Sequence, residues 1–256
     1  MNTPHPLTIL TGASRGLGAA IAEQLVRRRA ALLTISRHPD PTLDAKAVEA
    51  GASLEQWSID LADGDSASAR LETWLRSQPH PFSSATLINN AALAGKAGPI
   101  GESDSSALAA VLRVGLEAPM LLTRAFLRVT RDWSVPRKVL NISSGAGKKP
   151  LAGTAAYCAV KAGLDHFSRV VALDEANGKN GALIVSLAPG VIDTDMQTKL
   201  RESDPRAFPD QPRFAAMKAD GQLASAGDAA AKVLAFLDRP DFGTHPVADV
   251  RDGLSR

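Results

Sequence analysis

The chain has 256 residues, of which 45% are hydrophobic and 22% charged, and its formal net charge is +2. This length is ample for one large α/β domain with a buried core, and the balanced charge gives no reason to expect a nucleic-acid partner. The single cysteine excludes an internal disulfide. No signal-peptide pattern and no apolar run near the roughly 18 residues of a membrane span is seen, so we expect a cytoplasmic protein without a membrane partner.

Short apolar runs alternate with longer stretches of helical periodicity along the chain. Runs that are apolar almost throughout are typical of strands buried on both faces, as in a parallel sheet covered by helices. The sequence therefore predicts one α/β domain over residues 1–256, with a doubly wound parallel sheet of about seven strands. The predicted strands are 7–10, 31–35, 54–59, 85–88, 138–142, 182–187 and 246–250. The predicted helices are 17–28, 41–50, 66–77, 105–131, 155–176 and 226–237.

A polar, proline-containing stretch at 201–222 interrupts this alternation late in the chain. We expect a loop or short helices there, covering a site, and we assign 191–222 as a substrate-loop region. Its larger apolar side chains either line a pocket or form the core of a local helix pair. They are Met196, Leu200, Phe208, Phe214 and Met217.

Three glycines, Gly12, Gly16 and Gly18, follow the first predicted strand and open the first predicted helix. A pyrophosphate can approach the backbone where side chains are missing, and the free N–H groups of the helix start face its negative charge. The alternative is a tight turn without a ligand. The position between strand and helix favours a dinucleotide site, whose other loop contacts would be Ser14, Arg15 and Leu17.

The end of the second predicted strand indicates which dinucleotide binds. NAD-binding folds usually place an Asp or Glu there for the ribose hydroxyls, whereas this strand ends in Ser36 and Arg37. Arg37, helped by Arg15, can hold a 2′-phosphate through charge-assisted hydrogen bonds, which predicts NADP(H). The alternative is that both arginines are solvated surface charges. Further cofactor contacts are predicted after later strands: Asp60, Leu61, Asn89, Ala91, Pro189, Gly190, Ile192 and Thr194.

Tyr157 and Lys161 are four residues apart in a predicted helix, which places them on one face. A nearby ammonium stabilises a phenolate, so we expect the pKa of Tyr157 to fall from about 10 towards neutrality. For this pair alone, a half-buried tyrosine and a surface lysine are the simpler interpretation. However, Ser144 ends a strand thirteen residues earlier, where its hydroxyl can hydrogen-bond a substrate carbonyl. Its neighbour Ser143 is the candidate for a capping role.

Together these motifs resemble the short-chain dehydrogenase/reductase superfamily over nearly the whole chain. The resemblance implies a Rossmann-type domain that transfers a hydride from NADPH to a small carbonyl compound. It implies that Tyr157 is the catalytic acid/base, Lys161 bonds the nicotinamide ribose, Ser144 orients the substrate and Asn89 helps to position the cofactor. It also implies a homodimer or homotetramer built on the two longest predicted helices.

A narrower resemblance links the chain to the sepiapterin reductases and the bacterial benzil reductases. It is carried by Tyr157-Cys158-Ala159, by 193–197 and by 247–249. Both groups act on 1,2-dicarbonyl compounds, in which the second carbonyl makes the first electron-poor. In sepiapterin reductases an aspartate at the place of Asp249 anchors the pterin, so Asp249 is predicted to contact the substrate. The alternative is a carboxylate that caps the sheet edge.

Gly115 departs from the family pattern, which usually has an asparagine in the helix after Asn89-Asn90-Ala91. That asparagine normally holds a water of a proton relay to the lysine. Either a water fills the space beside Gly115 and bonds backbone carbonyls, or the resupply of protons to Tyr157 is slow. The departure leaves a second hypothesis, a catalytically silent NADP(H)-binding sensor or regulatory protein.

Overall fold

The computed structural model describes residues 5–78 and 82–252, and within them the strands form one parallel sheet. The sheet order is β3-β2-β1-β4-β5-β6-β7, which confirms the predicted doubly wound fold. The order reverses between β1 and β4, and the crevice above their carboxyl ends is where such folds bind ligands. The strands are β1 (Leu7–Thr11), β2 (Ala31–Ser36), β3 (Leu54–Ser58), β4 (Ala85–Asn89), β5 (Arg137–Ile142), β6 (Leu183–Ala188) and β7 (Val247–Asp249).

Helices cover both faces of the sheet. Consecutive strand residues point to opposite faces, so Ile9 packs into one hydrophobic core and Leu10 into the other. Helices α1 and α9 cover one face, and α3 and α5 cover the other. The helices are α1 (Gly16–Arg27), α2 (Pro41–Ala50), α3 (Gly64–Ser77), α4 (Ser105–Leu112), α5 (Ala118–Thr130), α6 (Ala155–Ala176), α7 (Asp195–Arg201), α8 (Gln211–Ala219) and α9 (Ala226–Leu237).

The helix predicted at 105–131 is interrupted by a turn of π-helix, Arg113–Glu117, between α4 and α5. By length and composition alone, Ser105–Thr130 is apolar enough to cross a bilayer, which corrects the expectation that no such stretch exists. Core helices of globular proteins share these properties. Here α5 packs against α3 and buries Phe126 completely.

The predicted substrate-loop region contains the two short helices α7 and α8, which pack against each other. The rings of Phe208 and Phe214 meet edge to face, with centroids 5.2 Å apart, and Phe208 is fully buried. The Asp193 carboxylate accepts hydrogen bonds from Arg201 and Lys218, which ties the two helices together. For the two phenylalanines, the core of a local helix pair is therefore the observed arrangement.

Candidate active site

The glycine loop between β1 and α1 is shaped by close backbone contacts. A Cβ on Gly12, whose φ is +70°, would lie 2.8 Å from the Cα of Ala91. A Cβ on Gly18 would collide with the Gly12 carbonyl oxygen. Both glycines are therefore required by packing within the protein, whatever binds above them. Gly16 has a φ of +55°, and a Cβ there would lie 3.4 Å from the Thr194 side chain, which precedes α7.

The residues after β4 brace this loop. The Thr11 hydroxyl accepts hydrogen bonds from the backbone N–H groups of Asn90 and Ala91, each at 3.0 Å. The Asn90 side chain donates to the carbonyls of Thr11 and Gly12, at 3.0 and 3.1 Å. Thr11 and Asn90 were not predicted from the sequence as bracing residues. The signal was available, because β1 and β4 are the neighbours that a switch point brings together.

The predicted phosphate contacts lie at the ends of β1 and β2. The Ser36 hydroxyl is buried and accepts a hydrogen bond from the Ala13 N–H at 3.0 Å, so it supports the loop. Arg37 is exposed beside it, and Ser14 and Arg15 are also exposed. Arg15 pairs with Asp195 at 3.2 Å, and both side chains are more than half exposed. Such a pair contributes only about 0–1 kcal/mol, so an arriving phosphate can replace Asp195.

The other predicted cofactor residues differ in what they contact. Asp60 is exposed and accepts from the Ala62 N–H at 2.9 Å, whereas Leu61 is buried. Asn89 is buried and donates to the Asn141 side chain at 2.8 Å, and its own Oδ1 has no hydrogen-bond partner among the described residues. Asn89 thus belongs to a buried amide pair. The remaining predicted contacts lie between β6 and α7, at the same edge of the sheet: Pro189, Gly190, Ile192 and Thr194.

Ser144, Tyr157 and Lys161 come together as the sequence predicts. Ser144 follows β5, and its hydroxyl lies near enough to the Tyr157 phenol to lower the pKa of the phenol. Lys161 lies one helical turn after Tyr157 in α6, with Nζ 5.6 Å from the centre of the phenol ring. The same Nζ donates to the Ile142 carbonyl at 2.7 Å.

The pKa of Tyr157 contradicts the sequence prediction. Burial raises the pKa of Tyr157 above its ordinary value of 10.0, while the hydrogen bond with Ser144 lowers it. Burial also lowers the pKa of Lys161 to about 8, against an opposing effect of the Asp165 carboxylate. The sequence showed the helical spacing but not that Lys161 turns towards a carbonyl or that both groups lose water. A neutral phenol is nevertheless the form that a proton donor needs.

The capping role expected for Ser143 belongs to Ser144. Ser144 caps the 3₁₀ turn that follows it, since its hydroxyl accepts from the Ala146 N–H at 3.2 Å. Ser143, the predicted capping residue, donates instead to Asp165 at 2.5 Å. Asp165 was missed altogether. Its position one helical turn after Lys161 was the available signal.

The space beside Gly115 is filled by protein. A Cβ at this position would lie 2.6 Å from Cγ1 of Val160 in α6. The expectation that a water replaces the usual asparagine is therefore wrong at this place. The valine side chain occupies the volume, and the glycine is what allows α6 to approach the π-turn.

Asp249 ends β7 beside Ala188 and is already paired. The Arg251 guanidinium forms a fork on the carboxylate, with Nε 2.8 Å and a terminal nitrogen 2.5 Å from its oxygens. This hydrogen bonding holds the pKa of Asp249 below its usual range. Arg251 was not singled out from the sequence, because a charge near a chain end is usually solvated.

Comparison with known proteins gives consistent results. The family model described as short chain dehydrogenase matches residues 7–205. A benzil reductase ((S)-benzoin forming) of Bacillus cereus is 37% identical over 235 residues, which cover 91% of this chain and 94% of that protein. A sepiapterin reductase of Mus musculus is 31% identical over 257 residues, with coverages of 95% and 96%. The crystal structure of a short-chain dehydrogenase/reductase from Burkholderia vietnamiensis matches with a TM-score of 0.67, 31% identity and coverages of 98% and 99%.

Proposed function

The chain belongs to the short-chain dehydrogenase family of oxidoreductases, which use a nicotinamide cofactor, and on that basis we propose that it reduces a ketone to an alcohol with NADPH. The observation that carries the proposal is the grouping of Ser144, Tyr157 and Lys161 above the carboxyl end of β5. The Ser144 hydroxyl lies near enough to the phenol to lower the pKa of Tyr157, so one carbonyl oxygen can contact both.

The residues at the sheet edge fit a phosphorylated dinucleotide. The α1 N-terminus follows the braced glycine loop, and unpaired helix N–H groups attract phosphate. Arg37 is exposed at the end of β2, where no carboxylate is present to bind ribose hydroxyls. The loop N–H groups would hold the pyrophosphate, and Arg37, helped by Arg15, would hold the 2′-phosphate. Lys161 would bond the nicotinamide ribose. The bound cofactor supplies the hydride.

The protein supplies the proton and the electrostatic environment. Ser144 orients the carbonyl oxygen by hydrogen bonding, and negative charge then develops on that oxygen. Tyr157 is held protonated by burial and donates its proton to the oxygen. The phenolate that remains is stabilised by the buried Lys161 ammonium. Positioned acids of this kind contribute about 10²–10⁴-fold to a rate.

For the substrate class we propose a 1,2-diketone without a basic group, of the kind named for the Bacillus relatives. A pterin carries amine-type donors that need a free carboxylate, and Asp249 is engaged by Arg251. Benzil should therefore be reduced faster than sepiapterin. Arg251→Ala should free Asp249 and shift the ratio of kcat/KM towards sepiapterin. If the ratio is unchanged, the Asp249–Arg251 pair does not determine which substrate is preferred.

Turnover itself is tested by following NADPH oxidation with a panel of diketones and simple ketones. Tyr157→Phe should abolish turnover and keep NADPH binding, measured by fluorescence titration. If the wild-type chain binds NADPH but no carbonyl compound accelerates its oxidation, the sensor hypothesis is favoured instead.

We also propose a homodimer or homotetramer in which α5 and α6 form the subunit interface. Met120 on α5 and Leu173 on α6 are exposed apolar residues, and Leu173 is 71% exposed. Such a surface suits a second copy of the chain. Light scattering after size exclusion should show an oligomer that Leu173→Glu weakens, and a monomeric wild-type chain would contradict it. Residence in the cytoplasm stays a prediction.

A further inference from the structure

A buried carboxylate lies directly behind the proposed catalytic group. Asp165, in α6, is only 3% exposed, and its Oδ1 accepts from the Ser143 hydroxyl at 2.5 Å and the Ser186 hydroxyl at 2.7 Å. Ionised carboxylates are costly to bury unless they are paired and hydrogen-bonded. The two serine hydroxyls provide these hydrogen bonds.

Lys161 is the buried cation of the same helix. It lies one helical turn before Asp165, is likewise 3% exposed, and experiences an attraction from the Asp165 carboxylate that opposes the effect of burial. Its ammonium donates to the Ile142 carbonyl, a neutral group. Asp165 is thus the charge that favours the protonated lysine.

The surroundings of Lys161 offer no substitute for Asp165. The packed elements carry Arg113 and Glu117 in the exposed part of the π-turn, Lys148 after the Ser144 turn, and Asp249 on β7, which Arg251 engages. Tyr157 lies one helical turn before Lys161, and burial raises the pKa of its phenol. Among the described residues, Asp165 is the charge that raises the pKa of Lys161 against the effect of burial.

Close packing prevents other polar side chains from reaching the Lys161 ammonium. Val160 fills the space beside Gly115, so a polar side chain there cannot reach the lysine from the π-turn. On the opposite side, a Cβ on Gly147 would lie 2.8 Å from Asp165 Oδ2 and 3.1 Å from the Lys161 carbonyl. The turn that follows Ser144 therefore closes tightly over Asp165.

We propose that Asp165 is a positioning residue for the reaction, which keeps Lys161 protonated and fixes the strand end that carries Ser144. The first role is electrostatic, since a fully buried ammonium otherwise loses its proton. The second is mechanical, because Ser143 precedes Ser144 and is anchored by its bond to Asp165. The inference rests on the proposed function only for its activity measurement.

The decisive variant is Asp165→Asn, which keeps the shape and the acceptor for both serines but removes the charge. We expect the pKa of Lys161 to fall by about 1–3 units, as when a close opposite charge is lost. It is read without any substrate from the ¹³Cε resonance of Lys161, assigned by its absence in Lys161→Arg. The falling alkaline limb of the kcat profile for ketone reduction should move to lower pH by the same amount.

Ser186→Ala is the matched control, because it removes one buried hydrogen bond to Asp165 and keeps the charge. Its Lys161 resonance should titrate within a few tenths of a unit of wild type. If Asp165→Asn leaves that titration unchanged, the inference is wrong. If Asp165→Asn does not fold, the Lys161 titration is measured in Asp165→Ser instead. A shifted resonance in a chain that reduces no ketone would support the Asp165–Lys161 coupling and reject the proposed function.

Discussion

Gly115→Ala tests whether the contact between the π-turn and α6 is as close as the structure shows. The new Cβ would lie 2.6 Å from Val160 Cγ1, well inside van der Waals contact. Valine is stiff at χ1, so the methyl group cannot swing away cheaply. Overpacking of this kind costs about 1–3 kcal/mol. Alanine is favoured over glycine in a helix by about 1 kcal/mol, so without the contact the variant would be more stable than wild type.

The expected result is a net loss of up to about 2 kcal/mol, or a melting temperature lower by up to about 8 °C for a chain of this size. Thermal unfolding followed by circular dichroism measures it. Gly227→Ala is the control, since it is also helical and meets nothing closer than 3.8 Å. That variant should be neutral or slightly stabilised.

The double variant Gly115→Ala/Val160→Ala tests the contact between positions 115 and 160 directly. Removing the valine methyls creates space that the new alanine partly fills, so the two changes together should cost less than their sum. A favourable coupling of about 0.5–3 kcal/mol is expected for residues in contact. If Gly115→Ala is as stabilising as Gly227→Ala and shows no coupling to position 160, the two elements are not in the contact described.

Three further outcomes follow from the charges around the site. Arg37→Ala should weaken NADPH binding by about 10- to 100-fold, because hydrogen bonds to charged groups contribute roughly 1.5–3 kcal/mol. Binding of NADH should be unchanged. If fluorescence titrations show equal losses for both cofactors, the contact between Arg37 and the 2′-phosphate is rejected. Asp195→Asn should free Arg15 and tighten NADPH binding up to about fivefold at low salt, an effect that disappears at high salt; a gain that is independent of salt would contradict the competition. Because burial lowers the pKa of Lys161 from 10.5 to about 8, the unfolded state binds the proton more tightly, so stability should rise between pH 8 and 10.5 by about 3 kcal/mol relative to Lys161→Met. The free energy of unfolding of both proteins is measured with denaturant across that pH range. If the two values change in parallel, the lowered pKa of Lys161 is refuted.

The fold and the three central side chains were predictable because their signals are local. Apolar strands, helical periodicity and the spacing of Tyr157 and Lys161 can all be read from short stretches of sequence. Strand ends in a parallel sheet share one edge, so the topology alone brings Ser144 near them.

What the sequence did not reveal depends on packing between distant segments. Asp165 and Ser143 are 22 residues apart, and the contact that excludes a side chain at Gly115 comes from Val160 on another helix. The pKa of Tyr157 was predicted in the wrong direction for the same reason. Spacing along a helix gives proximity, but the loss of water is decided by every element that closes around the group.

Three successive backbone positions at the end of β5 have different tasks. The Ile142 carbonyl receives the lysine, the Ser143 side chain holds the buried carboxylate, and the Ser144 side chain meets the phenol. Inserting or deleting a single residue there would displace all three groups together, since neighbouring strand residues face opposite sides. Helices α7 and α8 pack against each other more than against any other helix or strand of the described chain. Substitutions within these two helices should therefore disturb the end of β5 far less than a change of its length.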